Sequence, residues 1–434
     1  MTTRQRLALA AYSAAWWLAV PLAALYLLWR SIAQPEYRRH WGERFLGHGP
    51  EPPSGRPLIW VHAVSVGETR AAQPLIEHLA RELPKASFLL THMTPTGRAV
   101  GESIVAALPG RVVQRYLAYD LRFAVARFLR EARPSVGVVM ETEIWPNLLH
   151  ATRGAGVRML LANARLSERS TARGQRLAVL LKPAAEGFDR IAAQSESDRE
   201  RIARWYGKPI DVTGNLKFDL AVNDALVDAG RAQRAAWGAR PVWLFASSRD
   251  GEEALVLDAW MRRRGKFDSD PNLLIVPRHP QRFDEVAQLI EGKGLACLRR
   301  SRGAWPASVP PGTVLLGDTM GEMALYYAAA DVALIGGSLR NFGAQNLIEA
   351  CAVGTPVVLG PSTFNFAQAA ADAIAAGAAL QVRDADEALA AMDELCSGSR
   401  DRLASMGRAA LHFATAHRGA TVRVAKLVRD LLPD

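Results

Sequence analysis

Short apolar runs recur along most of the chain, and a longer stretch of helical periodicity follows most of them. Leu58–Val61, Ser87–Thr91, Val112–Leu117, Val136–Met140, Met159–Ala162 and Arg190–Ala193 read as strands. They are apolar with little alternation, the pattern of strands covered on both faces. Gly67–Leu83 and the segment after Pro95 read as intervening helices. The rhythm restarts at Pro241, with strands expected at Val242–Ala246, Asn272–Val276, Thr313–Leu316, Val332–Ile335 and Pro356–Leu359. Such an order predicts an α/β protein with two parallel, doubly wound, Rossmann-like sheets. The two domains are expected to face each other across a cleft, with ligands at the carboxyl ends of strands.

The amino terminus departs from this rhythm. Leu7–Trp29 carries no formal charge, with Arg4 and Arg6 before it and Arg30, Arg38 and Arg39 after it. It is long enough to cross a bilayer, for which ~20 apolar residues suffice. Trp16, Trp17 and Pro21 near its middle suit a tilted or interfacial anchor as well. The basic residues after the run place the body of the protein on the cytoplasmic side. The expected organisation is a membrane anchor and basic connector over 1–48, a first Rossmann-like domain over 49–225, and a second over 226–434 that includes the C-terminal helices.

Composition narrows the partners. A length of 434 residues exceeds one ordinary core. The net charge of +10 points to an anionic partner. No nucleic-acid-binding motif accompanies it, so a membrane surface and a phosphorylated substrate lead. Cys297, Cys351 and Cys396 are odd in number and far apart, which fits neither a disulfide framework nor a zinc site and implies a reducing compartment.

Candidate chemistry clusters after the strands. Ile335–Pro361 reads as strand, glycine loop (Gly336, Gly337, Gly343), short helix from Asn346 and strand. Glycines permit close backbone approach, and a helix start offers N–H groups to a phosphate. Asn346 and Glu349 can share one face there, although a bare Gly-rich turn has the same letters. In His62-Ala-Val-Ser-Val-Gly-Glu68, Glu68 is placed as a general base, or simply favours a helix first turn. In Met140-Glu-Thr-Glu143, Glu141 lies nearer the strand end and is the candidate functional acid, with Glu143 structural. Lys217, Arg278 and the neighbouring Pro277 and His279 supply cations and turn residues after strands, suited to a phosphate leaving group or to surface ion pairs. Met320, Gly321 and Glu322 form a loop open to a base or sugar, or a plain cap with Asp318 as its N-cap. Asp268/Asp270 and Asp384/Asp386 read as turn and cap residues, so neither a catalytic metal nor a cofactor is expected.

Taken in order, HAVSVGE, MTPTG, METEIWPN, ANARLSERS, AAQSESD, TGNLKFD, PRHPQRF, GDTMGEM, GGSL and NLIEA resemble the 3-deoxy-D-manno-octulosonic acid (Kdo) transferases. The resemblance implies a GT-B fold and inverting, metal-independent transfer of Kdo from CMP-Kdo to a lipid A precursor, lipid IVA. It also implies attachment to the cytoplasmic face of the inner membrane, with its anionic lipids, and no nucleic-acid partner. By that resemblance Glu68 is the base, while Glu141 and Lys217 are transition-state residues. CMP contacts fall on Pro277, Arg278, Met320, Gly321, Glu322, and on Asn346, Leu347, Ile348 and Glu349. Relatives commonly carry Asn-Pro-Leu-Glu where this chain has Asn346-Leu-Ile-Glu349, which leaves that helix start less rigid. Arg165, Arg169, Arg173 and Arg176 are expected to meet acceptor phosphates or the bilayer, or to form a solvated basic face. Two rival readings stand: a GT-B enzyme of another donor such as a UDP-sugar, and a membrane-anchored scaffold.

Overall fold

The computed structural model describes the backbone of all residues except Gly55, Ser167, Ser399 and Asp434, and the side chains of these and of Arg169, Arg173 and Arg400 lie outside the description. The chain divides into two compact units: Met1–Leu220 with Arg418–Asp434, and Ala221–His417. The final helix, Ala420–Asp430, therefore belongs to the first unit and not to the second domain with which it is contiguous in sequence.

In the first unit, helix α1 (Thr3–Ala33) precedes a seven-stranded parallel sheet. Its strands are β1 (Leu58–His62), β2 (Ser87–His92), β3 (Val112–Tyr116), β4 (Val136–Met140), β5 (Arg158–Ala164), β6 (Arg190–Ala193) and β7 (Ile210–Val212). The order β3-β2-β1-β4-β5-β6-β7 reverses direction between β1 and β4. That switch point opens a crevice at the carboxyl ends of two neighbouring strands. β1, β2 and β4 are buried along their whole length, as their apolar runs require. One face of the sheet packs on α2 (Val66–Glu82) and on the final helix, which inserts Val424, Ala425 and Val428 into a core shared with Leu75 and Leu79. Phe128, Leu149, Phe188 and Tyr206 fill the other side.

The second unit holds another seven-stranded parallel sheet: β8 (Val242–Ser248), β9 (Asn272–Pro277), β10 (Ala296–Arg299), β11 (Thr313–Leu316), β12 (Val332–Ile335), β13 (Val357–Leu359) and β14 (Ala379–Gln381). The order is β10-β11-β9-β8-β12-β13-β14, with the switch between β8 and β12. Trp243, Phe245, Trp260 and Ile275 anchor its core.

Three strands lie outside the sequence expectation: Ile210–Val212, Ala296–Arg299 and Ala379–Gln381. They are short and carry few buried residues, so no apolar run announces them. Three strand ends carry non-glycine residues in the left-handed region. Glu141, Asn163 and Ser247 adopt φ of 59°, 54° and 57°. The register of β5 against β6 shifts between Leu161 and Ala164, and that of β8 against β9 between Ala246 and Ser248. Non-glycine residues held in the left-handed region persist where surrounding structure dictates them, and such positions cluster at functional sites.

Candidate active site

Two carboxylates stand at the first switch point. After β1 the chain turns at Ser65, the N-cap of α2 in extended conformation. Glu68, in the first turn, bends its side chain back over the cap. It accepts from the Val64 amide at 2.8 Å and from the Ser65 hydroxyl at 3.1 Å. This is a variant of the reciprocal capping arrangement, with the donor one residue earlier than usual. Glu68 is 9% exposed. Burial, reinforced by the negative charges of Glu141 and Glu143 against the two hydrogen bonds, pushes its pKa up to about 7. The side chain that caps the helix is thus also a buried carboxyl group with a pKa near neutrality.

Glu141 ends β4 across the switch point. Its amide still donates to Ala162 on β5 at 2.9 Å, while its positive φ turns the side chain out of the ladder. Lys217 Nζ lies 2.8 Å from one oxygen and Arg165 Nε 3.0 Å from the other. Burial favours the neutral acid, but the two cations outweigh it and hold the pKa down at about 2. Glu68 and Glu141 are therefore driven apart in acidity, the condition under which two neighbouring carboxyl groups take different roles. Glu143 accepts from the Trp145 indole at 2.8 Å, and burial raises its pKa.

Lys217 sits on a 3-10 turn, Leu216–Asp219, whose Asn215 side chain accepts from the Lys217 amide at 3.0 Å. Asn163 Oδ1 accepts from the Leu216 amide at 3.0 Å, and Asp219 accepts from the amides of Gly419 (2.6 Å) and Thr421 (2.5 Å) at the start of the final helix. The turn is thereby held from β5 on one side and from the carboxyl-terminal helix on the other. Asn163 escaped sequence reasoning. Asn is the residue that most readily enters the left-handed region, which is the one trace of Asn163's role in the letters. Arg165, expected at acceptor phosphates, the bilayer or a solvated basic face, is an ion-pair partner of Glu141. Arg176 is exposed, and the side chains of Arg169 and Arg173 fall outside the described residues.

In the second unit the carboxyl ends of β11, β9, β8 and β12 stand in that order. Pro277 ends β9, and the Arg278 amide donates to Ser248 O at 3.0 Å. The Arg278 Nε donates to Gln345 Oε1 at 3.1 Å, which ties β9 to the loop after β12. After β11, Met320 is 60% exposed and Gly321 (φ 84°) has open space where a Cβ would stand. Glu322 accepts from Arg300 at 2.8 Å and from Tyr326 at 3.2 Å, and also bonds Thr319. Burial raises its pKa, but these partners prevail and lower it. Asp318 is not the N-cap of the following helix. It accepts from the Ser301 amide at 2.7 Å and from Arg299 at 2.6 Å, which orient it toward β10. By contrast, Asp384 does cap its helix, accepting from the Glu387 amide at 2.9 Å.

The glycine loop differs from the phosphate cradle its letters suggest. Glu252, wholly buried at the start of the helix after β8, accepts from the amides of Arg249 (2.9 Å), Gly337 (2.6 Å), Leu339 (3.0 Å) and Arg340 (3.1 Å). Gly343 donates to Ser362 and Gln345 to Gly336 O. The loop amides are directed at protein oxygens. A Cβ on Gly336 would come within 2.3 Å of Ser247 O, so the glycine serves backbone packing. The helix beyond is shorter than expected, Ile348–Val353. Asn346 Nδ2 donates to Glu349 Oε1 at 3.0 Å, and Leu347 and Ile348 are core side chains. Asn346 and Glu349 therefore do share a face, joined to each other.

The described segment 39–220 matches the family model of the 3-deoxy-D-manno-octulosonic-acid transferases (kdotransferases). A 3-deoxy-D-manno-octulosonic acid transferase of Bordetella pertussis is 48% identical over 379 residues, spanning 86% of this chain and 87% of its own length. The transferase of the same description from Haemophilus influenzae is 35% identical over 421 residues, spanning 95% of this chain and 96% of its own. Among solved structures, a glycosyltransferase of Rickettsia africae superposes with a TM-score of 0.58 at 13% identity, covering 87% of this chain and 98% of that one. A putative UDP-N-acetylglucosamine 2-epimerase of Listeria monocytogenes gives 0.57 at 14% identity, with the same coverage. At such identities these structures speak to the fold alone, which is GT-B. The identities to the first two relatives are decisive for the family: the chain belongs to the 3-deoxy-D-manno-octulosonic acid transferases, glycosyltransferases of lipopolysaccharide biosynthesis.

Proposed function

We propose that this chain transfers Kdo from CMP-Kdo to a lipid A precursor of the lipid IVA type, with inversion and without a metal ion, at the cytoplasmic face of the inner membrane, to which α1 attaches it. The observation that carries the reading is the opposed pair at the first switch point, Glu68 poised near neutrality beside a firmly ionised Glu141. CMP-Kdo brings its own leaving group, so the protein must take a proton from the acceptor hydroxyl and accommodate charge separation. Glu68, held to its cap by two hydrogen bonds, accepts that proton as the new C–O bond forms. The bond to CMP stretches toward an oxocarbenium-like state, whose positive charge Glu141 favours. Lys217 is a cation suited to a departing phosphate, and in the second domain Arg278 and Pro277 are suited to the nucleotide. There Met320–Glu322 lie along the base and sugar, with Asn346–Glu349 beside them. Lys and Arg supply the positive charge that a metal would otherwise provide, so turnover should be indifferent to EDTA.

The test has two arms. A nucleotide that binds only the folded protein raises stability by RT ln(1 + [L]/Kd), so saturating CMP should shift the melting temperature by several degrees while UDP does not. Glu68→Gln should lower turnover by about 10²–10⁴-fold with the CMP shift retained. A shift with UDP alone would move the reading to another donor class, and near-normal turnover of Glu68→Gln would remove its assigned role.

A further inference from the structure

Helix α1 has two apolar faces. One follows Leu9, Trp16, Val20, Leu27 and Ser31 at helical spacing; Leu9, Leu27 and Ser31 are buried and Trp16 and Val20 half-buried, against the first domain and, at the far end, against the turn that follows the helix. Trp16 and Val20 complete a small core with Ala118, Leu121 and Ala124. Trp16 also stacks on Trp145, with ring centroids 6.5 Å apart. Ser13 Oγ donates to Asn147 Oδ1 at 2.8 Å, and the Tyr12 hydroxyl bonds Asp120, a fully buried carboxylate. At the far end Arg38 reaches back to Ser31 Oγ at 2.9 Å.

The other face exposes Leu18, Leu22, Leu25, Trp29 and Ile32, each between 62% and 79% accessible. These positions also recur every three or four residues, so they form a continuous ridge. The ridge extends off the helix through Trp17 onto Phe123, 43% exposed, at 5.5 Å between centroids. Arg4 and Arg6 flank one end and Arg38 and Arg39 the other, all exposed, and α1 contains no acidic residue.

A spanning arrangement conflicts with these contacts. The protein-facing stripe from Leu9 to Ser31 is about 33 Å long at 1.5 Å per residue, the whole thickness of a hydrocarbon core. To cross a bilayer with its contacts intact, α1 would carry Asp120, Asn147 and the exposed Arg122 into lipid. Charged groups are excluded from that environment. To cross it alone, α1 would strip Trp16 and Val20 from their core.

We infer that α1 lies in the plane of an anionic bilayer as a fixed part of the first domain, with the Leu18–Ile32 ridge and Phe123 immersed in the headgroup–acyl boundary. The inference rests on the membrane attachment proposed above and states its geometry. The basic ends favour an anionic membrane surface, and the domain packed against the opposite stripe takes the place of the polar face of a free interfacial helix. It also has a consequence for the site. Trp16 touches Trp145, whose indole holds Glu143, a charged neighbour of Glu68. Glu68 is thus linked to the membrane-facing helix through Trp145 and Glu143.

The full chain tests this in inner-membrane preparations. Thr3→Cys should react with a membrane-impermeant maleimide in inverted vesicles, and in spheroplasts only after permeabilisation, scored against the unsubstituted chain. Reaction in intact spheroplasts equal to that after permeabilisation would mean α1 spans, overturning the in-plane geometry while keeping the membrane attachment. Recovery of the chain in the soluble fraction would overturn both. As an independent arm, Leu18→Glu with Leu25→Glu should lower flotation with phosphatidylglycerol liposomes by about tenfold or more, with an unchanged melting temperature. Undiminished flotation would overturn the assignment of the ridge. A lipid-independent dimer of the parent chain that fails to float would assign the ridge to a second copy and overturn it too.

Discussion

Replacing Glu141 by Gln should move the acidic limb of the pH–rate profile, because Glu141 is among the causes of the raised pKa of Glu68. With the Glu68 pKa at about 7, roughly one tenth of the enzyme is in the base form at pH 6 and nine tenths at pH 8, so kcat/KM should rise about tenfold across that window. Burial is the largest contributor to the upward shift and the charge of Glu141 the second. Glu141→Gln removes the second while leaving the first, so the midpoint should fall but stay above the ordinary carboxylate value of 4.5. Freeing Lys217 and Arg165 from their carboxylate adds positive charge nearby and acts in the same direction. For a fall of about one unit, the rise between pH 6 and pH 8 shrinks to roughly twofold. The assay is CMP release against pH, with the residual profile of Glu68→Gln as the substrate baseline. Absolute rates will drop because Glu141 is itself in the proposed machinery, so the position of the limb is the measure. A parent profile already flat between pH 6 and pH 8, or a midpoint unmoved in Glu141→Gln, would refute the electrostatic coupling.

Three further outcomes follow from the same geometry. Lys217→Met withdraws one of two cations from a buried carboxylate and should destabilise the protein by about 3 kcal/mol in urea titrations at neutral pH; stability unchanged within 0.5 kcal/mol would show the pair to be dispensable. Glu252→Ala releases four backbone amides of the β8 and β12 loops, so the CMP-induced thermal shift should be lost while the acidic limb of Glu68 in the other domain keeps its midpoint. Asp219→Ala removes the acceptor at the start of the final helix and should cost about 1–2 kcal/mol, read from urea unfolding, with Asp219→Asn recovering part of it.

The letters of the chain carried the architecture because parallel strands buried on both faces must be apolar throughout, and because helices must follow them. Continuous runs such as Ile59–Val61 and Val136–Met140 were therefore visible, and so were Glu68 and Glu141 as polar residues just past strand ends. The order of the motifs resembles that of the Kdo transferases, the family to which the relatives show the chain belongs. Short edge strands such as Ala379–Gln381 were not, since an edge position demands little apolar surface.

What only the tertiary structure decided are the partners between residues distant in sequence. Nothing local says that Gly337 and Arg340 spend their amides on Glu252, that Arg165 pairs with Glu141, or that Asp219 receives the final helix into the first domain. Those choices depend on which strand ends become neighbours, and hydrogen-bond satisfaction in a buried site is resolved only once they do. The same holds for α1. Its letters announce a helix apolar on every side, but the domain's small core at Leu121 and Ala124 selects which face turns inward and leaves the Leu18–Ile32 ridge outside.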